Sequence, residues 1–138
     1  MRVFLDTNVL VSAFATRGLC ADLFSSVLLE HELVVGEVVL TELRRALRDR
    51  IRMPRRLIEE IDDLLREAVL VPKPREHLNL GISDPDDEWI VASAVAGRAD
   101  ARITGDSALL AAASRAPLPV LSLRGLWDLL RENKRPKK

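Results

Sequence analysis

Along this chain, apolar runs of two or three residues alternate with longer stretches in which apolar residues recur every three or four positions. Short strand-like segments recur at residues 3–5, 33–35, 69–71, 102–104 and 120–121, all but 102–104 wholly apolar. Helical spacing fills the gaps at residues 8–14, 21–30 and 38–51. A further helix opens at Pro54, a favoured first helical position, and lines up Leu57, Ile58, Ile61, Leu64, Leu65 and Ala68 on one face. An apolar helix follows at residues 89–96, a short one at 107–114 and a last one at 126–130. Strands alternating with helices predict an α/β fold with a five-stranded, mostly parallel sheet flanked by about seven helices. The two helices between residues 38 and 68 are expected to stand off the sheet as an antiparallel pair, a shape suited to touching something else.

Length and charge narrow this picture. At 138 residues and 48% hydrophobic content the chain has material for one core, so a single domain is expected over residues 1–132, with a basic tail at 133–138. The one cysteine, Cys20, has no partner for an internal disulfide and reads as a packed thiol in a helix. Neither a secretory signal pattern nor an apolar run of membrane-spanning length is present, and a cytoplasmic protein is the expectation. Twenty-one acids balance 21 bases, which excludes a uniformly basic nucleic-acid binder. Locally the balance breaks: residues 44–56 hold seven arginines, Arg44, Arg45 and Arg48 among them, against Asp49 alone. Such a run is either a solvated helix face or a grip on a polyanion.

The candidate chemistry is acidic. Asp6 ends the first strand, where open α/β sheets place their sites, and no Lys or Arg follows it closely. A carboxylate there needs hydrogen bonds, protonation or a cation, unless it is simply a helix cap. Asp106 repeats the theme after the strand at 102–104. If the two strands are neighbours, about 4.8 Å apart, their carboxylates come close enough to share a hard cation such as Mg²⁺ or Mn²⁺. Glu42 falls at the edge of its helix's apolar stripe, with Arg45 in reach as an ordinary ion-pair partner. In the run Ser83-Asp84-Pro85-Asp86-Asp87-Glu88, Asp84 fits an N-cap ahead of a proline, and periodicity does not choose between Asp87 and Glu88. With only the isolated His31 and His77, zinc is not indicated.

In order and spacing, Asp6-Thr7-Asn8, Thr41-Glu42-Leu43, Asp87 ahead of Ile90, Ala92 and Ala94, and Thr104-Gly105-Asp106 ahead of Leu109-Leu110 resemble the PIN-domain nucleases. The likeness spans residues 1 to about 130 and is greatest for the small VapC-type toxins of toxin–antitoxin pairs. It implies a three-layer PIN-like fold and a ribonuclease whose Asp6, Glu42, Asp87 and Asp106 bind Mg²⁺ or Mn²⁺. Asn8 and Thr104 would support that set, and Asp84 would serve a second, weaker metal position. Arg44, Arg45 and Arg48 are then candidate RNA contacts, and an antitoxin and a homodimer are the implied partners. Two other readings compete: a phosphotransfer or phosphatase-like enzyme built on Asp6, and a catalytically silent PIN-like interaction module. Against the first, the second acid of a phosphatase-like Asp-x-Asp is Asn8 here.

Overall fold

Consecutive residues of a strand face opposite sides of a sheet, so a strand buried at every position must be covered on both. Three strands have at least three consecutive buried positions among the described residues, and in two of them every one of those side chains is apolar. In β1 (Arg2–Leu5), Val3, Phe4 and Leu5 are all buried, and in β2 (Glu32–Gly36) so are Leu33, Val34 and Val35. With β3 (Val69–Val71), β4 (Ala101–Ile103) and β5 (Val120–Leu121) they form one sheet in the order β3-β2-β1-β4-β5, every pairing parallel. The computed structural model describes residues 1–16, 18–73, 85–111 and 117–134.

Seven helices accompany the sheet among the described residues: α1 (Thr7–Ala15), α2 (Leu19–Glu30), α3 (Glu37–Asp49), α4 (Arg55–Arg66), α5 (Pro85–Ala96), α6 (Ser107–Ala111) and α7 (Leu123–Lys134). The α/β architecture with a five-stranded parallel sheet is the one expected. Strand order doubles back at one place: the chain moves outward from β1 through β2 to β3, then crosses over to lay β4 on the other side of β1. That reversal makes the C-terminal ends of β1 and β4 the topological switch point, where ligands of such sheets bind.

Several boundaries differ from the expectation for identifiable reasons. β4 begins and ends one residue earlier, with Thr104 just past its end. α5 starts at Pro85, four residues before its apolar stretch, because a first turn carrying Pro and acids shows no apolar period. α7 extends to Leu123 and Lys134. Pro54 takes the N-cap position of α4, one residue before its first helical residue. Of the expected helix at 107–114, residues 112–114 lie outside the described residues, as do 135–138 of the basic tail.

The α3–α4 pair does not stand clear of the sheet. Val39, Leu40, Leu43 and Leu47 bury one face of α3 in the core, where it packs on β2, α1 and α5. Its other side is fastened to α4 by Asp62, which is buried between Arg66 (Nε to Oδ2, 2.7 Å) and Arg44 (Nη1 to Oδ1, 3.1 Å). The apolar residues of α1 and α2 are likewise core: Leu10, Val11, Leu23, Phe24 and Val27 are buried, and Phe14 meets Phe24 edge-on at 4.9 Å. On α2, Leu19, Leu28 and Leu29 are instead exposed. Cys20 lies half-buried in the first turn of α2 rather than in a helix interior. Where α5 ends, Gly97 lets the chain pass close to the sheet: a Cβ there would stand 2.6 Å from Val34 Cγ1 and 2.7 Å from Val71 Cγ2. Among the described residues, no single helix is long and apolar enough to cross a membrane.

Candidate active site at the β1–β4 switch

Parallel pairing sets the register Val3↔Ala101, Phe4↔Arg102, Leu5↔Ile103. Side chains alternate along a strand, so Arg102 shares a face with Phe4 and, two residues on, with Asp6. The backbone continues this alignment past the strand ends, the Asp6 N–H donating to Ile103 O at 3.0 Å. A long side chain on β4 thus reaches a short one just beyond β1. The outcome is a two-pronged ion pair: Arg102 Nε donates to Asp6 Oδ1 at 2.6 Å and Nη2 to Oδ2 at 3.1 Å. Arg102 is 1% exposed and Asp6 7%.

Asp6 is also the N-cap residue of α1, and its carbonyl accepts the Leu10 N–H at 3.1 Å. Its side chain makes no capping bond, so capping does not account for an acid at this position. Asp106 behaves differently. It is exposed, its N–H donates to Thr104 Oγ1 at 3.0 Å, and its Oδ1 accepts the Leu109 N–H at 3.3 Å, capping the short α6. Thr104, 1% exposed, is held in the sheet by its N–H to Leu121 O at 3.0 Å. It therefore fixes the turn that carries Asp106.

The third acid arrives from a helix. Glu42 is half-buried at the margin of the α3 stripe, where α3 packs on α1, and its Oε2 accepts a 2.8 Å hydrogen bond from Thr7 Oγ1. Thr7 adjoins Asp6, so the bond seats the Glu42 carboxylate beside the first turn of α1. The exposed Asn8 follows, its Oδ1 3.4 Å from Arg50 Nη2. Asp87 stands in the first turn of α5 with its side chain outside the described residues, and Asp84 lies outside them altogether.

As they stand, the described carboxylates do not fit a resident divalent ion. Both oxygens of Asp6 face Arg102, Glu42 is tied to Thr7, and Asp106 caps a helix. Among the described residues, no three His, Cys, Asp or Glu side chains are gathered to hold a metal.

The arginine run divides in the structure. Arg44 lies against Asp62 and Arg48 pairs with its neighbour Asp49 at 2.7 Å, while Arg45 is exposed on α3. Arg44, Arg48 and Arg55 line one surface cleft between α3 and α4 together with Ile58. Hydrogen bonding to Arg48 holds the Asp49 carboxyl below its usual range. At Asp62, burial pushes the carboxyl upward, and the bonds from Arg66 and Arg44 outweigh it, leaving the group below its usual range.

Sequence reasoning missed Arg102 and Thr7, while Arg50 lies within the arginine run expected as a grip on a polyanion. The signal for Arg102 was present: a charged residue between Ala101 and Ile103 in a buried parallel strand has to find a partner inside the protein. Thr7 gave none beyond its place in the Asp6-Thr7-Asn8 motif.

Comparison with known proteins agrees with this architecture. The sequence matches the PIN domain family over residues 2–108. Its fold resembles that of VapBC2 from Rickettsia felis, determined bound to a DNA fragment from its promoter. The TM-score there is 0.65 at 16% identity, covering 88% of this chain and 98% of that one. VapBC-1 from nontypeable Haemophilus influenzae matches with a TM-score of 0.63 at 21% identity, over 90% of this chain and 99% of that one. FitAcB from Neisseria gonorrhoeae matches at 0.58 and 15%, over 88% and 98%. At these identities the likeness is one of fold. No curated protein matches the sequence significantly.

Proposed function

The chain belongs to the PIN-domain family, and from that premise we propose that it is a nuclease hydrolysing RNA phosphodiester bonds at the C-terminal ends of β1 and β4. The observation that supports this reading is that two acids, Asp6 and Asp106, follow neighbouring parallel strands at the topological switch point, with Glu42 hydrogen-bonded to Thr7, the residue after Asp6. Asp6, Glu42, Asp87 and Asp106 are its acids and Mg²⁺ or Mn²⁺ its cofactor, with Asp84 the candidate for a second, weaker ion position. Thr104 fixes the Asp106 turn. Asn8, two residues after Asp6, and Arg50 are exposed and in contact, and Arg50 and Arg45 meet the phosphates of an incoming strand. Local arginines on a neutral chain reconcile an acidic centre with a polyanionic substrate.

The reading extends to partners. We assign this chain the toxin role of a toxin–antitoxin pair, with support from structural neighbours that are VapBC complexes. An apolar cleft of about 330 Å³ lined by Phe14, Met53, Leu57, Ile61 and Leu64 offers an antitoxin a place to dock. Exposed Leu28 and Leu29 on α2 suit a second copy of the chain in a homodimer. A cytoplasmic location accompanies this role.

Purified protein is expected to cut RNA in Mg²⁺ or Mn²⁺ and to stop on addition of EDTA. Full cleavage by Asp6→Asn or Asp106→Asn overturns the assignment. The Arg102–Asp6 pair favours one alternative, a PIN-fold module without catalysis, which failure to cleave under both ions would select. It disfavours a phosphotransfer enzyme, because both oxygens of the would-be nucleophile are engaged.

A further inference from the structure

A metal-dependent nuclease needs Asp6 to take a divalent ion, yet the geometry has already given Asp6 a cation. Arg102 belongs to the chain itself, is 1% exposed, and places two donors on the two oxygens of that carboxylate at 2.6 and 3.1 Å. It comes from the strand that pairs with β1, so the contact is built into the sheet and not into a loop. A guanidinium is a permanent cation whose fork matches a carboxylate edge to edge. The contact also satisfies charge where burial makes an unpaired charge costly.

We propose that Arg102 is a resident counter-cation of the candidate active site, competing with a divalent ion for the Asp6 carboxylate. The inference rests on the nuclease reading and deepens it. Two positive groups on one buried carboxylate repel each other with little water to screen them, so an ion binds Asp6 fully only after the guanidinium swings off it. The chain then holds Mn²⁺ or Mg²⁺ less tightly than the same site without the arginine. Its cation requirement is set by residue 102, which is not itself a ligand. Loading also frees the guanidinium in the immediate neighbourhood of the acids, where it turns to an anion such as a backbone phosphate.

The test is a Mn²⁺ titration of the full chain, with free ion counted by its paramagnetic resonance signal, on wild type, Arg102→Met and Arg102→Lys. Changes in groups that contact a metal's ligands move its affinity by about 10- to 100-fold. Arg102→Met is expected to bind Mn²⁺ more tightly than wild type by a factor in that range, and its melting temperature is expected to rise more on Mn²⁺ addition. Arg102→Lys, which keeps the charge and loses the fork, falls between the two. It decides the matter alone should Arg102→Met not fold. Binding by both variants no tighter than wild type overturns the proposal. Wild-type RNA cleavage alongside that result leaves the nuclease reading standing. Tighter binding with no cleavage by any of the three proteins leaves the counter-cation standing and removes the nuclease. No Mn²⁺ binding by any of them overturns both.

Discussion

Among the described residues two aspartates are buried and clamped by arginine, and they are not alike. Asp62 on α4 is held by Arg44 and Arg66, whose side chains are 44% and 50% exposed. Asp6 is held by Arg102, which is 1% exposed. At Asp62 the charges come from long side chains lying on the surface, in contact with water, and the cluster fastens one helix to the next. At Asp6 the arginine is itself inside the sheet, so neither partner has water to fall back on. The first arrangement is a fastening that water partly screens. The second is a buried pair at the point where the strand order reverses and a site is expected.

This contrast is testable by size of effect. The largest loss is expected from Arg102→Met, which strands the Asp6 carboxylate: about 3 to 5 kcal/mol of unfolding free energy in metal-free urea denaturation. Adding Asp6→Asn to that variant should restore much of the loss, since a neutral pair costs less to bury. A loss under 1 kcal/mol would mean that the two clamps are equivalent. Asp62→Ala, measured the same way, is expected to cost only about 1 kcal/mol, because Arg44 and Arg66 turn to solvent once released.

A smaller effect at Asp62 depends on pH. The folded protein holds the Asp62 carboxyl below its usual range, so between that lowered value and the ordinary one the unfolded chain binds more protons than the folded one. The stabilisation from Asp62 is therefore complete above about pH 5 and is lost as pH falls through the lowered value. The stability gap between wild type and Asp62→Asn should be constant from neutrality to mild acid and shrink below about pH 4. A gap that stays flat to pH 2 would remove the fastening role from Asp62.

The sequence by itself determined the order of strands and helices, because each reports a local period: consecutive apolar residues in strands buried on both faces, three-to-four spacing in helices. It placed an acid after β1 and another after β4 and put Glu42 at the margin of a buried stripe, since these are positions within single elements. The first turn of α5 escaped it, as Pro85 and the acids after it show no apolar period. What only the tertiary structure decided is what faces those acids. Asp6 and Arg102 are 96 residues apart. Their pairing depends on β4 crossing back to lie beside β1 in the register Phe4↔Arg102, a choice among strand orders that no local pattern encodes. Hence an acid followed by no nearby Lys or Arg in sequence meets one in space, and the strand-end site comes with a cation of its own.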